Sequence, residues 1–298
     1  MFRCLKLTLL CSLFLIAGIG RADEGYFDSG GVQIHYLVEG RGEAVVLIHG
    51  FVVDAYIQWA LPGVMRSLAK DHLVIALDVR GHGKSGKPTE TEKYGTEMVE
   101  DVVRLLDHLE IKKAHVVGYS MGALITGKLL ATHPDRLLSA TLGGCGVFPE
   151  GVRQPEYLEK LAQSLEEGKG LAPLMKALSP SGKSNPPAMV NTVVNRLVRE
   201  NGKAFAAVVR SWKDLGVSKE KLRSNKVPTL ALIGSKDPLK EAVDYMKDEM
   251  ENLEVIVIDG ANHLSTYTNA KFIRSLRKFL ADNSQNKKEK KATSKNAE

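Results

Sequence analysis

The chain has 298 residues, of which 26% are charged, and a formal net charge of +6. Residues 1–22 carry three basic residues and no acid, and residues 282–298 carry five lysines against three acids. Residues 23–281 are therefore left with a net charge of only +1. This near-neutral balance argues against a nucleic-acid partner, and the length permits a hydrophobic core that supports itself.

The first residues have the pattern of a secretory signal peptide. Arg3 and Lys6 precede an apolar run that reaches Ile19, and small residues follow it. The run is shorter than the about 20 residues that a spanning helix needs. We therefore predict cleavage after Ala22, export to the periplasm or the medium, and no stable membrane anchor afterwards. An uncleaved N-terminal anchor is the alternative.

Strands and helices are predicted to alternate from residue 26 to about residue 148. The strands are expected at 32–38, 44–48, 73–77, 113–117 and 137–142, and the helices at 61–70, 96–109 and 123–131. Continuous apolar runs such as Ala44–Ile48 are typical of parallel strands that are buried on both faces. The pattern predicts an α/β fold with a mostly parallel, doubly wound sheet of about eight strands.

The alternation stops over residues 149–226, where helices are predicted at 157–167, 171–178 and 189–200 and no strand is evident. Strands resume at 229–233 and 254–258, with helices at 239–249 and 267–281. We therefore predict a core in two parts, 23–148 and 227–281, with a helical cap at 149–226 inserted before the last two strands. The polar, lysine-rich residues 282–298 are predicted to be disordered.

A serine between two glycines follows the predicted strand at 113–117. Residues 118–122 read Gly-Tyr-Ser-Met-Gly and lead into a helix-like run. Glycine on both sides permits a tight turn where a β-carbon would clash, and the free N–H groups at the start of the helix would stabilise a developing oxyanion. The strand, turn and helix around the motif predict that Ser120 is a nucleophile.

A serine nucleophile needs a base, and the base needs a carboxylate that orients it. Asp237 and His263 each follow one of the last two predicted strands, so both are expected at the carboxyl edge of the sheet. Asp259, four residues before His263, is a rival for the acid. The chain order Ser, Asp, His is the one expected for a triad on this type of sheet.

These features resemble the α/β-hydrolase superfamily, in its branch of serine esterases, lipases and cofactor-free haloperoxidases. The matched motifs span roughly residues 26–281 and are His49-Gly50-Phe51, the run from Asp78 to Ser85, the Ser120 elbow, Asp237 and His263. The resemblance implies catalysis by Ser120, His263 and Asp237, without a cofactor or a metal. It also implies an oxyanion hole formed by the backbone N–H groups of Phe51 and Met121.

Other polar residues near these motifs are interpreted as structural. His49 is expected to brace the oxyanion loop rather than to act as a base. Asp78, Arg80 and His82 are expected to form a network that stabilises their own loop.

A serine at the elbow favours an acyl-enzyme, and hence hydrolysis of esters, thioesters or lactones, or acyl transfer. We expect a small-to-medium neutral ester bound in an apolar pocket. Its predicted lining residues are Phe51, Trp59, Phe148, Met175, Phe205 and Trp212. Two alternatives remain open: a perhydrolase activity like that of the cofactor-free haloperoxidases, and a non-catalytic small-molecule receptor on the same fold.

Overall fold

The computed structural model describes residues 22–179 and 188–285, with the backbone alone for residues 188–191. The predicted signal peptide, apart from Ala22, and the predicted disordered tail beyond Gln285 lie outside the described residues. Within the described ranges, no helix is both long enough and apolar enough to cross a membrane.

The described part of the chain forms one sheet of eight strands, in the order β1-β2-β4-β3-β5-β6-β7-β8. Strand β2 pairs antiparallel with β1 and β4, and the remaining neighbours are parallel. This confirms the predicted, mostly parallel α/β sheet. The strands are β1 (Asp23–Asp28), β2 (Gln33–Gly40), β3 (Ala44–Ile48), β4 (Leu73–Leu77), β5 (Ala114–Tyr119), β6 (Leu137–Gly143), β7 (Thr229–Gly234) and β8 (Leu253–Ile258).

The edge strand β1 is missing from the sequence-based prediction. Its residues are mostly polar, and among them only Phe27 is buried, so the strand has no apolar pattern to reveal it. It forms because each of its residues pairs with one in β2, from Asp23 opposite Val38 to Asp28 opposite Gln33. Strand β1 therefore forms because it pairs with β2, and not because of its own sequence.

Helices cover both faces of the sheet because its central strands are apolar on both sides. In β3, Val46 and Ile48 join one buried cluster and Val45 and Leu47 join the other, as the two-residue period of a strand requires. The helices are α1 (Val64–Leu68), α2 (Thr96–His108), α3 (Met121–Thr132), α4 (Glu156–Glu166), α5 (Ala172–Leu178), α6 (Ala188–Ser211), α7 (Lys219–Arg223), α8 (Lys240–Glu249) and α9 (Ala270–Asp282).

Helix α6 continues well beyond residue 200, where the sequence predicts its end. Asn201 and Gly202 look like a stop signal, yet the helix runs through them to Ser211. A β-carbon on Gly202 would lie 2.1 Å from the backbone oxygen of Leu165. The glycine therefore permits the close crossing of α6 and α4, and this tertiary packing outweighs its low helix propensity.

Asp78, directly after β4, ties two loops together at the carboxyl edge of the sheet. Its carboxylate accepts hydrogen bonds from Ala55 N–H at 2.9 Å and Lys84 N–H at 2.8 Å, and it lies 2.8 Å from His35 Nδ1. Although burial acts to raise the pKa of Asp78, these hydrogen bonds hold it below its ordinary value. The ionised carboxylate thus anchors the segment that follows β3.

Arg80 and His82 stabilise the same loop from inside. Arg80 is 1% exposed, and its guanidinium contacts the carboxylate of Asp101 in α2 at 2.7 and 2.6 Å. His82 Nδ1 lies 3.1 Å from the backbone oxygen of Arg80, and its ring packs against Phe51 and Phe205. Burial lowers the pKa of His82 to about 3.

The buried His82 should make the protein sensitive to acid. Below its ordinary pKa of 6.5, His82 binds a proton in the unfolded chain, but in the folded protein it does so only near pH 3. The free energy of unfolding therefore falls as the pH falls between these two values. In His82→Asn, whose amide nitrogen can replace Nδ1, we expect this slope to be shallower by about 1.4 kcal/mol per pH unit.

Urea titrations of both proteins between pH 7 and pH 4 measure the two slopes. Equal slopes would show that His82 takes up its proton in the folded protein as readily as in the unfolded chain.

Candidate active site

Ser120 lies in a strained turn between β5 and α3. Its φ is 54° and its ψ is −114°, a conformation that residues with a β-carbon rarely adopt. A β-carbon on Gly118 would lie 1.9 Å from the backbone oxygen of Gly122, and one on Gly122 would lie 2.2 Å from that of Ile48. The two glycines are therefore required by close backbone approach, and Ser120 N–H donates to Gly143 O at 2.8 Å.

The structure brings Ser120, His263 and Asp237 into one hydrogen-bonded chain. His263 Nε2 lies 2.9 Å from Ser120 Oγ, and His263 Nδ1 lies 2.8 Å from Asp237 Oδ2. With the proton on Nδ1, the imidazole donates to the carboxylate and can accept the serine proton at Nε2. Asp237 and His263 are 4% and 5% exposed, so bulk water competes little for these bonds.

Asp259, the rival acid, does not contact His263. It is exposed, and its carboxylate accepts a hydrogen bond from Ser235 Oγ at 3.2 Å. The backbone N–H of Leu239 fixes the other oxygen of Asp237 at 3.0 Å. The geometry therefore favours Asp237 as the partner of the histidine.

Tyr119, next to the serine, is a site residue that the sequence analysis missed. Its hydroxyl donates a hydrogen bond of 2.5 Å to the backbone oxygen of His263. Burial raises the pKa of this phenol well above its ordinary value, so the hydroxyl keeps the proton that it donates. Tyr119 thus fixes the loop that carries the histidine. A tyrosine inside a strand gives no sequence signal of such a long-range contact.

The oxyanion loop is held by His49, as the sequence analysis expects. His49 Nε2 accepts a hydrogen bond from Val79 N–H at 2.9 Å, and Nδ1 then donates to Gly50 O at 2.7 Å. Burial lowers the pKa of His49 and keeps the ring in the neutral form that can make both bonds. Phe51 and Met121, whose N–H groups are the predicted oxyanion donors, both line the cavity next to Ser120.

A cavity of about 380 Å³ opens above the serine, between the core and α4 to α6. Ser120 and His263 lie in its wall together with apolar side chains such as Leu158, Leu171 and Leu174. Four of the side chains predicted to bind substrate are part of this wall: Phe51, Phe148, Met175 and Trp212.

The prediction was wrong for two aromatic residues, because neither Trp59 nor Phe205 lines the cavity. Trp59 is fully buried in the cluster on the opposite face of the sheet, with its ring 6.5 Å from that of Tyr267. Phe205 is 2% exposed and packs edge-on behind Phe51, at 5.4 Å between ring centroids. Both support the site from behind, which aromatic composition alone could not distinguish from lining it.

The chain is similar in sequence to known hydrolases. Over 234 residues the chain is 29% identical to the 2-hydroxy-6-oxo-6-(2'-aminophenyl)hexa-2,4-dienoic acid hydrolase of Metapseudomonas resinovorans, covering 75% of this chain and 79% of that protein. It is 27% identical over 205 residues to 3-oxoadipate enol-lactonase 2 of Acinetobacter baylyi, covering 65% of this chain and 73% of that protein.

Among solved structures, a carboxylesterase of the archaeon Nitrososphaera gargenis superposes with a TM-score of 0.72 at 23% identity, over 88% of this chain and all of the other. At that identity the likeness concerns the fold. Residues 43–270 match the family model described as alpha/beta hydrolase fold. The chain is therefore a hydrolase that belongs to the alpha/beta hydrolase family.

Proposed function

We propose that this protein hydrolyses carboxylic esters with neutral acyl groups, through an acyl-enzyme on Ser120. The observation that carries the proposal is the chain of contacts from Ser120 Oγ to His263 and on to Asp237, at 2.9 and 2.8 Å, in the wall of an apolar cavity. The relatives named above are hydrolases, which supports the reaction class but not the ester.

The geometry supports a two-step reaction. Ser120 Oγ attacks the ester carbon while its proton passes to His263 Nε2, and Asp237 stabilises the imidazolium. The carbonyl oxygen becomes an oxyanion, which the N–H groups of Phe51 and Met121 stabilise. His263 then gives the proton to the departing alkoxide. Water, deprotonated by the same ring, attacks the acyl-enzyme and releases the acid.

The charges in the cavity wall favour a neutral acyl group. Among the lining residues that the structure describes, Lys169 is the only lysine or arginine, and its side chain is 71% exposed, where water screens its charge. A buried carboxylate needs a cation or several hydrogen bonds to offset its desolvation. The two relatives are named for an acid and for the lactone of an oxoadipate. We therefore expect this chain to differ from them in substrate.

Replacing the serine tests the reaction. Wild type should hydrolyse p-nitrophenyl acetate, butyrate or octanoate, and Ser120→Ala should lower kcat/KM by about 10⁴-fold or more, since the nucleophile is lost. A fluorophosphonate should label the wild type at Ser120. Ester hydrolysis that survives in Ser120→Ala would contradict the proposal, and peroxide-dependent halogenation lost in that variant would favour the perhydrolase alternative.

Cys145 provides the matched control, because its thiol lies in the same cavity. Burial raises the pKa of this thiol, which keeps it protonated and unreactive. Cys145→Ala should therefore retain hydrolysis that depends on the serine.

Charge on the acyl group tests the substrate class. We expect kcat/KM for p-nitrophenyl butyrate to exceed that for mono-p-nitrophenyl succinate by about tenfold or more, because the succinate would place an unpaired carboxylate in an apolar wall. Lys169→Met should leave this ratio nearly unchanged, since the Lys169 side chain is largely exposed and water screens its charge. A preference for the succinate would instead indicate an acidic substrate, like those for which the relatives are named.

We also propose that residues 1–22 direct export and are removed after Ala22. Support comes from the charge and hydropathy pattern, and from β1, which begins at Asp23 and would stay whole after cleavage. Expression of the full chain in a Gram-negative host, followed by mass spectrometry of the purified protein, should give Asp23 as the N-terminus, outside the cytoplasm. An intact N-terminus in the cytoplasmic fraction would contradict the proposal.

A further inference from the structure

Gln58 places a side-chain amide beside the nucleophile. It lies on a single π-helical turn, Tyr56–Ala60, in which Leu61 N–H donates to Tyr56 O at 2.8 Å. Turns of this type are rare in proteins, and those that occur are often found at functional sites. This one buries two consecutive side chains, Gln58 and Trp59, and Gln58 lines the cavity although it is only 3% exposed.

The amide oxygen of Gln58 holds the backbone of the oxyanion loop. Gly50 N–H donates to Gln58 Oε1 at 2.7 Å, which also settles which end of the amide is the oxygen. A β-carbon built on Gly50 would lie 3.3 Å from this oxygen and 3.4 Å from Ser120 Cβ. The amide and the serine therefore both lie against Gly50.

Gly50 is consequently fixed at both of its peptide groups. Gln58 holds its N–H, and His49 Nδ1 holds its carbonyl oxygen at 2.7 Å. In a trans peptide, the N–H of the next residue points away from that carbonyl oxygen. The two side chains together therefore set the direction of Phe51 N–H, the proposed oxyanion donor.

Packing alone does not explain an amide at this position. Gln58 Nε2 is buried and has no hydrogen-bond partner among the described residues. An unpaired buried donor destabilises the folded state, and methionine would fill nearly the same volume without that cost. The bond from Gly50 N–H to Oε1 is the interaction that methionine could not make.

We propose that Gln58 is a positioning residue: through Gly50 it holds Phe51 N–H where the negative oxygen of the transition state forms. The assignment rests on the proposed function and deepens it. It requires that loss of the Gly50 contact weakens binding of the transition state more than binding of the substrate.

Gln58→Met and Gln58→Asn test this requirement. Methionine has the length without the acceptor, and asparagine has the amide but is one methylene too short to reach Gly50. In both variants kcat for p-nitrophenyl butyrate should fall by about 10- to 100-fold, because a misplaced donor costs less than a missing one. KM should stay within about twofold. Thr141→Val, which removes another buried and unpartnered polar atom outside the cavity wall, should change neither.

Two inhibitors separate positioning from general damage to the site. A trifluoromethyl ketone forms a bond from Ser120 Oγ to its carbonyl carbon, while the serine proton moves to His263 and the carbonyl oxygen becomes an oxyanion. Its affinity should fall in both Gln58 variants by the same factor as kcat/KM. The corresponding alcohol, which forms no oxyanion, should bind wild type and variants alike.

Equal weakening of both inhibitors, unchanged kinetics, or failure of both variants to fold would overturn the assignment. Failure of the proposed function is distinguishable, because the rate of Ser120 labelling by a fluorophosphonate needs no ester turnover. The phosphoryl oxygen occupies the same oxyanion hole as fluoride leaves, so labelling should also slow by about 10-fold or more in the Gln58 variants. Wild-type labelling without esterase activity would overturn the ester proposal alone.

Discussion

The close approach of two backbone segments is the constraint on which the site depends. The first turn of α3 meets the end of β3 so tightly that a β-carbon on Gly122 would lie 2.2 Å from Ile48 O. Because the turn cannot relax away from β3, Ser120 remains in its left-handed conformation, and Gly143 O accepts its N–H. This strained conformation persists because the pairing of β5 with its neighbouring strands holds the backbone in place. In an ordinary turn, the side chain of the serine would point in another direction and would lie farther from the oxyanion loop.

The oxyanion loop depends in turn on the parallel register of β3 and β4, in which Ile48 pairs with Leu77. This register places His49 beside Val79, whose N–H binds its ring, and it brings Asp78 within reach of Ala55. The loop is thus held by buried polar groups at both ends, and burial keeps the histidine neutral so that it can accept and donate together. Buried hydrogen bonds of this kind are rigid in a low-dielectric interior, which suits the proposed oxyanion donor, since it must not reorganise during the reaction.

In the proposed function, the cavity wall selects the substrate, and the contacts among Ser120, His263 and Asp237 do not. Helices α4 to α6 close an apolar cavity over the serine, and the only lysine or arginine among its described lining residues, Lys169, has a largely exposed side chain. The same three residues could act on esters, lactones or acidic substrates. The proposal separates these classes by the desolvation of a buried carboxylate, which depends on a few side chains of α4 to α6 that residue composition cannot place.

The α/β alternation, the elbow and the order Ser120, Asp237, His263 could be read from the amino-acid sequence, because each depends on local pattern or on the end of a strand. The sequence-based prediction missed β1, which exists through pairing with β2, and it ended α6 at residue 200, although the helix continues through Gly202 where it packs closely on α4. It could not place Trp59 behind the site, nor find Tyr119 and Gln58. Their roles arise from contacts with His263 O and Gly50 N–H. These roles are visible only in the folded protein, because each contact joins residues that no local sequence pattern connects.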